Sequence, residues 1–398
     1  MDMDTQPPPS LAQVEQIIAQ LYGGVVTRFS KSAQEYLQNI QKQNYAWELA
    51  SQLLASEGNR TNLVNCYIYL TKQSVNSQFF GAHTFQVKIS RDWHTLPPER
   101  KEWVRNELLG WILRLSNGPM VVITKLCLAL TAFVLHAVPE IWTNFISDFF
   151  DYLHTGSLAV TAQNQGQALF IELPLLEFLT VVPEEISRAD LIGERKAKVN
   201  QELIDSIPRV MSILRTILSN HHGYAERDIL LKQKCLRCLQ SWILYGVPFE
   251  TLFLLVDHVI TLFQIELTND AATEVLVEFI SQPRISYYQN TVCEKILHCI
   301  TSDWAKNQIT KAINEIFDKT KLLISKTVLI LIILSDRDEL AARNLCRLMT
   351  TFGDQFTNYI AINFLRPDIA VYLEMMLMFA GFPGYFGQDQ EISFLSFD

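Results

Sequence analysis

The stretch that decides the fold, residues 78–113, reads QFFGAHTFQVKISRDWHTLPPERKEWVRNELLGWIL. In its first half Phe79, Ala82, Phe85 and Ile89 recur at spacings of three and four residues, which places them on one face of a helix. The Leu-Pro-Pro sequence in the middle interrupts that helix, and an amphipathic pattern resumes after it. The stretch therefore predicts two helices joined by a short link, with the apolar face of the first helix in the core.

The same periodicity continues along most of the chain, and proline or glycine separates successive helices. Helices are predicted at about 31–43, 44–55, 76–90, 98–115, 119–137, 139–154, 163–182, 196–219, 225–245, 248–264, 269–281, 288–318, 336–352 and 355–380. Short links make neighbouring helices antiparallel, and a spacing of about 40 residues per pair is typical of HEAT repeats. We predict an all-α fold, a HEAT-repeat α-solenoid built as a superhelical stack of helix pairs. The alternative, two globular bundles, would need a polar linker that residues 76–318 lack.

Composition excludes several classes of function. The net charge is −9 and the pI about 5.5, so no domain-wide positive field exists to attract nucleic acid. The start of the chain carries no secretory signal pattern. The chain has seven cysteines, and an odd number argues against a disulfide framework. The most apolar run, residues 322–334, is shorter than a membrane span. We predict no direct nucleic-acid ligand and no membrane insertion.

No motif in the chain predicts catalysis. Cys235 and Cys238 form a CxxC pair, but no second pair or histidines follow at zinc-finger spacing. On a helix the two cysteines share an apolar face with Trp242. We predict that all three side chains are structural. Nucleophile-elbow, zinc-protease and phosphate-loop spacings are absent from the sequence. We predict no catalytic residue, no metal and no cofactor.

Several segments together carry a family resemblance. The 78–113 stretch resembles the N-terminal segment of importin-β-type nuclear transport receptors: a small-residue helix, a tryptophan, a leucine-proline pair and an amphipathic helix. Similarity to the importin-13 and transportin-3 branch extends, in order and between about residues 11 and 384, over ITKLCLALTAFVLHAVPEIW (123–142), LPLLEFLTVVPEEI (173–186), KQKCLRCLQSWILYGVPFE (232–250) and FISQP (279–283). Collinear matches over that distance are more specific than any single motif.

The resemblance to the importin-β (karyopherin) superfamily implies a carrier that shuttles between nucleus and cytoplasm. Its implied partners are Ran-GTP, protein cargo and phenylalanine-glycine nucleoporins. Residues 11–150 would then be the Ran-facing N-terminal repeats, preceded by a disordered tail at 1–10, and residues 151–398 further HEAT repeats, truncated at the C-terminus. A helical-repeat scaffold that binds protein partners without Ran is the first alternative, and an α-helical enzyme is the second.

Candidate partner contacts are the polar side chains on otherwise apolar helices. The predicted Ran-binding set on the concave face is Gln78, His83, Lys88, Thr124, Lys125 and Thr131, and the predicted cargo-binding pair is Glu172 and Glu177. A structural interpretation remains open for the threonines, because a hydroxyl in a buried helix can donate to a carbonyl one turn back. Phe79, Phe85, Trp93 and Trp242 are predicted to be structural. The double variant Lys88→Glu, Lys125→Glu is expected to weaken Ran capture while leaving helicity intact.

Two segments depart from the helical-pair pattern. Residues 58–75 and 319–335 are out-of-register insertions, apolar and rich in β-branched or aromatic residues. They are either real insertions or translated intron sequence.

Overall fold

The computed structural model describes residues 8–22, 29–56, 64–163, 170–220, 226–282, 289–322 and 329–380. These residues form helices, one 3₁₀ turn and connecting turns, without a β-strand among them, so the all-α prediction is confirmed. The chain divides into two compact units, unit 1 at Met1–Ile207 and unit 2 at Pro208–Asp398.

Unit 1 contains eight complete helices and most of a ninth within its described residues. The helices are α1 Leu11–Tyr22, α2 Phe29–Gln41, α3 Ala46–Leu54, α4 Val64–Asp92, α5 Pro98–Arg114, α6 Met120–Ala137, α7 Phe145–Gln163, α8 Glu172–Arg188 and α9 Gly193–Ser219, which crosses into unit 2. The 3₁₀ turn at Trp93–Thr95 follows α4. Unit 1 begins with a capping box, because Ser10 and Gln13 each accept a hydrogen bond from the other's backbone N–H.

The middle of unit 1 is a layer of helices in which α3, α4, α6 and α8 pack side by side in that order. Helix α5 covers α6 and α7, and α7 packs on α8. Gly81 sets the closeness of α3 and α4, since a Cβ at this position would lie 2.7 Å from the carbonyl oxygen of Ala50.

Unit 2 repeats the layered arrangement. Its helices are α10 Glu226–Tyr245, α11 Phe249–Phe253, α12 Val256–Phe263, α13 Glu266–Ser281, α14 Gln289–Ile300, α15 Asp303–Leu322, α16 Leu329–Gln355, α17 Thr357–Ile362 and α18 Pro367–Ala380. Helices α10, α13 and α16 pack side by side, with α12 against α13 and α15 against α16. Asn344 of α16 donates to the side chain of Asn269 on α13 at 2.8 Å, a buried polar tie between neighbouring helices.

Helix α6 is long and apolar enough to cross a membrane by length and composition alone. Its surroundings explain that composition, since α4, α5 and α8 pack around it. Leu126, Leu130 and Phe133 are completely buried there. A helix that is apolar around most of its circumference is expected at the centre of a layered helical core.

The two predicted insertions lie partly in helices. Residues 64–75 form the N-terminal part of α4, and residues 58–63 lie outside the described residues. The second insertion contributes its first residues to α15 and its last residues to α16, and 323–328 lie outside the described part of the chain. Whether these segments are real insertions stays a prediction, as do the predicted domain bounds. The predicted tail at 1–10 is described only from residue 8 onward.

Candidate partner-binding surface

One narrow strip of α6 reaches the surface of unit 1. We call it the α6 strip, and its residues are Val121, Thr124, Lys125, Leu128 and Ala132. The remaining faces of α6 are occupied by α4, α5 and α8. Because the strip is short of polar groups, the few that it carries dominate what it can bind.

Thr124 and Glu177 link α6 to α8. Thr124 Oγ1 donates to Glu177 Oε1 at 2.6 Å, and Glu177 is only 6% exposed. The hydrogen bond occupies one oxygen of a carboxylate that is buried between the two helices. The prediction that Glu177 faces solvent for cargo is therefore wrong, whereas Glu172, the first residue of α8, is exposed as expected.

Thr131 is completely buried, and its hydroxyl donates to the carbonyl oxygen of Cys127 at 2.9 Å. This is the structural interpretation that the sequence left open for the threonines of α6. Thr131 is therefore not an accessible partner contact. Thr124, seven residues earlier on α6, is partly exposed, so the two threonines differ in accessibility.

Lys88 is also completely buried, so its prediction as a surface contact is wrong. Its ammonium donates to Asp92 Oδ2 at 2.7 Å and to the carbonyl oxygen of Gln43 at 2.8 Å. The Nζ atom lies 5.1 Å from the centre of the Trp47 ring. Burial lowers the pKa of Lys88, and the hydrogen bond to Asp92 opposes that shift. Lys88 thus ties the end of α4 to the turn between α2 and α3.

Gln78 is half-buried and serves the end of α3. Its side-chain amide donates to the carbonyl oxygens of Leu54 at 3.4 Å and Ser56 at 3.2 Å. The last carbonyls of a helix have no partner within the helix, so Gln78 satisfies two groups that would otherwise need water. Its predicted role against a partner is untested, but the side chain already has a structural role.

His83 of α4 and Lys125 of the α6 strip have few partners of their own. Lys125 Nζ lies 5.8 Å from the centre of the Phe79 ring and forms no salt bridge with any described residue. Burial lowers the pKa of Lys125, and Glu185 raises it by charge alone. Burial lowers the pKa of His83, and the positive charge of Lys125 lowers it further. Two neighbouring cationic or titratable groups are therefore left without a local acceptor.

Three of the four predicted structural residues lie in the core. Phe85 and Trp242 are completely buried, and Trp93 is 5% exposed, where it stacks on His136 and meets Phe133 edge-on. Phe79 departs from the prediction because it is half-buried. Its ring forms part of the surface beside Lys125 rather than part of the core.

Helix α5 shows a pattern that the sequence analysis missed: each of its four basic side chains lies over an indole ring. The distances from charged group to ring centre are 3.9 Å for Arg100 over Trp103, 4.6 Å for Lys101 over Trp93, 5.8 Å for Arg105 over Trp142 and 4.8 Å for Arg114 over Trp111. Such contacts cover aromatic surface with the stems of long cations while their charge remains in water. The alternation of basic residues and tryptophan in 98–114 could have indicated the contacts with Trp103 and Trp111, but not those with Trp93 and Trp142.

The cysteines and acids supply no metal centre in the part of the chain that the structure describes, where no three His, Cys, Asp or Glu side chains stand close enough to share an ion. Cys235 and Cys238 are completely buried in unit 2, as predicted. Burial raises the pKa of Cys235 well above its ordinary value, and the charge of a neighbouring Cys238 thiolate would raise it further. A thiol so protonated is neither a nucleophile nor a ready ligand.

Two family models match adjacent parts of the chain. The importin-beta N-terminal domain matches residues 33–114, and the exportin 1-like protein model matches residues 119–276. The first covers α3, α4 and α5, and the second begins at the proline that precedes α6. The chain belongs to the importin-β superfamily. The HEAT-like helical solenoid predicted from the sequence is confirmed for this importin-β-type chain.

Curated relatives place the chain near the importin-13 branch. Importin-13 of Bos taurus is 25% identical over 388 residues, which are 97% of this chain and 35% of that protein. Importin-13 of Homo sapiens is 28% identical over 287 residues, or 72% of this chain and 27% of that protein. Importin-13 homolog A of Dictyostelium discoideum is 27% identical over 67% of this chain and 23% of its own length. The chain thus spans about a third or less of the relatives that it matches.

Proposed function

We propose that this importin-β-type chain is a nuclear transport receptor that binds Ran in its GTP state and carries protein cargo. Passage through the pore by binding phenylalanine-glycine nucleoporins, and shuttling between nucleus and cytoplasm, belong to the same proposal. The observation that carries it is the pair of family models that follow one another over residues 33–276. The similarity to importin-13 proteins from three organisms supports it.

The layer of α4, α6 and α8 supports the proposed location of the Ran contact. Within the predicted set, the accessible residues are Gln78, His83, Thr124 and Lys125. Lys88 and Thr131 leave the proposed set because both are completely buried. Glu172 remains the proposed cargo contact, since it is exposed at the start of α8.

A pull-down tests the proposal. The purified chain is immobilised and offered Ran loaded with a non-hydrolysable GTP analogue or with GDP. We expect capture of the GTP form and little capture of the GDP form, because control by Ran requires different affinities for the two states. Equal capture of both forms, or capture of neither, would contradict the proposal and favour a helical-repeat scaffold that binds proteins without Ran.

A further inference from the structure

A group of cationic side chains lies at the C-terminal end of α6 in unit 1. We call it the α6-end cluster, and its residues are His94 of the 3₁₀ turn, Lys101 of α5, His136 in the last turn of α6 and Arg195 near the start of α9. His94 is exposed and the other three are half-buried. These residues are far apart in sequence, so only the fold brings them together.

The Trp93 ring is the centre around which three of these side chains gather. It stacks on the His136 ring, with 5.3 Å between the ring centres and 23° between the ring planes. Lys101 Nζ lies 4.6 Å from the centre of the same indole. The His94 ring stands edge-on to the His136 ring, with 6.4 Å between the ring centres. Direct contacts therefore place an ammonium and two imidazoles side by side.

Arg195 is positioned beside His136 by the backbone that follows α6. Its Nε atom donates to the carbonyl oxygen of Val138 at 3.1 Å, two residues beyond His136. That bond fixes the guanidinium while its two Nη atoms have no partner in the part of the chain that the structure describes. A cleft of about 500 Å³ lies next to Arg195, and three of the residues that line it are acidic: Glu140, Asp190 and Glu194.

The α6-end cluster has no counter-ion among the described residues. Its two histidines and Lys101 form no ion pair there, and the acids of the adjacent cleft form none with Arg195. Burial lowers the pKa of His136, and the positive charge of Arg195 lowers it further. His94 and Lys101 act on that ring in the same direction. Like charges at such short range repel one another, and an anion bound among them would reverse that cost.

We propose that the α6-end cluster binds a phosphoryl group. Lys101 Nζ and the ring N–H groups of His94 and His136 donate to its oxygens, and the Nη atoms of Arg195 donate from the α9 side. The cluster shares no residue with the proposed Ran and cargo contacts. Binding of phosphate is therefore a property beyond the proposed transport function.

A phosphoryl group matches this cluster better than a carboxylate does. A carboxylate brings one negative charge and two oxygens, so it would leave part of the cluster unsatisfied. A phosphorylated side chain brings three acceptor oxygens and a charge of about −1.5 to −2 at pH 7, and cationic N–H donors form strong hydrogen bonds with such oxygens. The group can belong to a phosphorylated serine or threonine of a protein or to free phosphate, since both present the same chemistry.

The first measurement establishes the chemistry of the ligand. The full chain is titrated against a short peptide that contains one phosphoserine, carries no other charge and is labelled with an uncharged fluorophore. The same peptide with serine or glutamate at that position is the ligand control. We expect fluorescence anisotropy to show the phosphopeptide binding at least about tenfold more tightly than either control. Equal binding of the glutamate peptide would overturn the phosphoryl assignment.

The second measurement locates the site with single variants. Lys101→Met removes a charge and keeps the apolar stem over Trp93, whereas His136→Phe removes the ring N–H and keeps a ring that stacks on Trp93. Arg114→Met is the matched control, because Arg114 also lies on α5 over an indole, that of Trp111, but at the other end of the helix. We expect the first two variants each to weaken phosphopeptide binding about fivefold or more, and Arg114→Met to leave it unchanged.

Thermal unfolding of each variant shows whether the chain is still folded. If Lys101→Met and His136→Phe are folded and bind the phosphopeptide as tightly as the wild type, the inferred site is wrong. If either variant unfolds, His94→Gln replaces it, because His94 is exposed and its ring packs on His136 only. We expect His94→Gln to weaken binding about threefold, and unchanged binding would overturn the site in the same way.

Competition by inorganic phosphate separates the two sources of the ligand. Displacement of the phosphopeptide by an equal concentration of inorganic phosphate assigns the site to free phosphate, and displacement only by a large excess assigns it to a phosphorylated side chain. Absence of displacement at any concentration would show that the peptide is bound through something other than its phosphoryl group. Ran takes part in none of these measurements, so their failure would leave the proposed function standing.

Discussion

Lys88 and Lys125 lie on neighbouring helices of the same layer, and they differ in what surrounds the ammonium. Lys88 donates to Asp92 and to the carbonyl oxygen of Gln43, so its charge is satisfied within the chain. Lys125 has the Phe79 ring and the distant charge of Glu185. Burying a charge costs free energy unless it is paired and hydrogen-bonded. The first lysine is therefore structural, and the second is available to a partner.

Replacing each lysine by methionine should separate the two roles. We expect Lys88→Met to lower the free energy of unfolding by about 2–3 kcal/mol, because it removes the buried ammonium that donates to Asp92 and to the Gln43 carbonyl oxygen. We expect Lys125→Met to change the free energy of unfolding by less than about 0.5 kcal/mol, or to raise it. Urea unfolding of both variants measures the difference. Equal stabilities would show that the buried contacts of Lys88 contribute nothing measurable.

Burial of Lys88 also changes the double variant expected from the sequence. Lys88→Glu would place a carboxylate against Asp92 and a backbone carbonyl, so helicity would not stay intact. The hydrogen bond between Lys88 and Asp92 could be predicted from the sequence, since the two residues are four positions apart on one helix. The hydrogen bond to Gln43 could not, because Gln43 is 45 residues away, in the turn between α2 and α3. Periodicity gives the direction of a side chain but not what the next helix brings to it.

At the scale of the elements, the contact between α3 and α4 depends on Gly81. The two helices approach so closely that a Cβ there would lie 2.7 Å from the Ala50 carbonyl oxygen and 3.2 Å from Leu53 Cβ. Backbone atoms cannot turn aside as a flexible side chain can. A larger residue would have to move one helix away from the other, together with the core that lies between them.

Gly81→Ala should therefore destabilise unit 1. We expect a loss of about 1–2 kcal/mol in the free energy of unfolding, the cost of overpacking reduced by the better helix propensity of alanine. Gly110→Ala in α5 is the matched control, because its Cβ would meet only the Tyr152 hydroxyl at 3.9 Å. The free energy of unfolding of Gly110→Ala should rise by up to about 1 kcal/mol. Chemical unfolding measures both, and a stable Gly81→Ala would contradict the close approach.

Helix bounds were predictable for some helices that begin at a proline and for some that do not; the prediction 225–245, for example, matches α10 at Glu226–Tyr245. Helices predicted at 98–115 and 119–137 match α5 at Pro98–Arg114 and α6 at Met120–Ala137 within one residue. A helix predicted from 139 begins instead at Phe145, because Pro139 lies in the loop after α6. Proline fits both a first helical turn and a tight link, so the residue alone does not decide between them.

At the scale of the whole molecule, two segments interrupt the helical-pair pattern, and their origin is open. Residues 58–75 and 319–335 interrupt a pattern that otherwise resembles one family between about residues 11 and 384. The described part of the first lengthens α4 to 29 residues, compared with 17 for α5 and 18 for α6. Both remain compatible with real insertions or with translated intron sequence.

Mass spectrometry of the native protein decides between these origins. If both segments are translated introns, as we expect from their lack of a partner pattern, tryptic peptides 61–72 and 327–337 are absent from the native protein. A transcript read across both junctions would lack the same segments. Peptides from α5 serve as the internal control for recovery. Detection of either insertion peptide would refute the intron hypothesis for that segment.

The tryptophans are divided unequally between the two units, with consequences for spectroscopy. Of seven, unit 1 holds five and unit 2 holds two: Trp47, Trp93, Trp103, Trp111 and Trp142, then Trp242 and Trp304. Indole emission is therefore weighted towards the first unit, whereas far-ultraviolet circular dichroism reports helices in both. Unfolding curves recorded by the two signals would coincide only if the units melt together. A single emission curve would describe chiefly the unit in which four of the five indoles lie beneath the cations of α5.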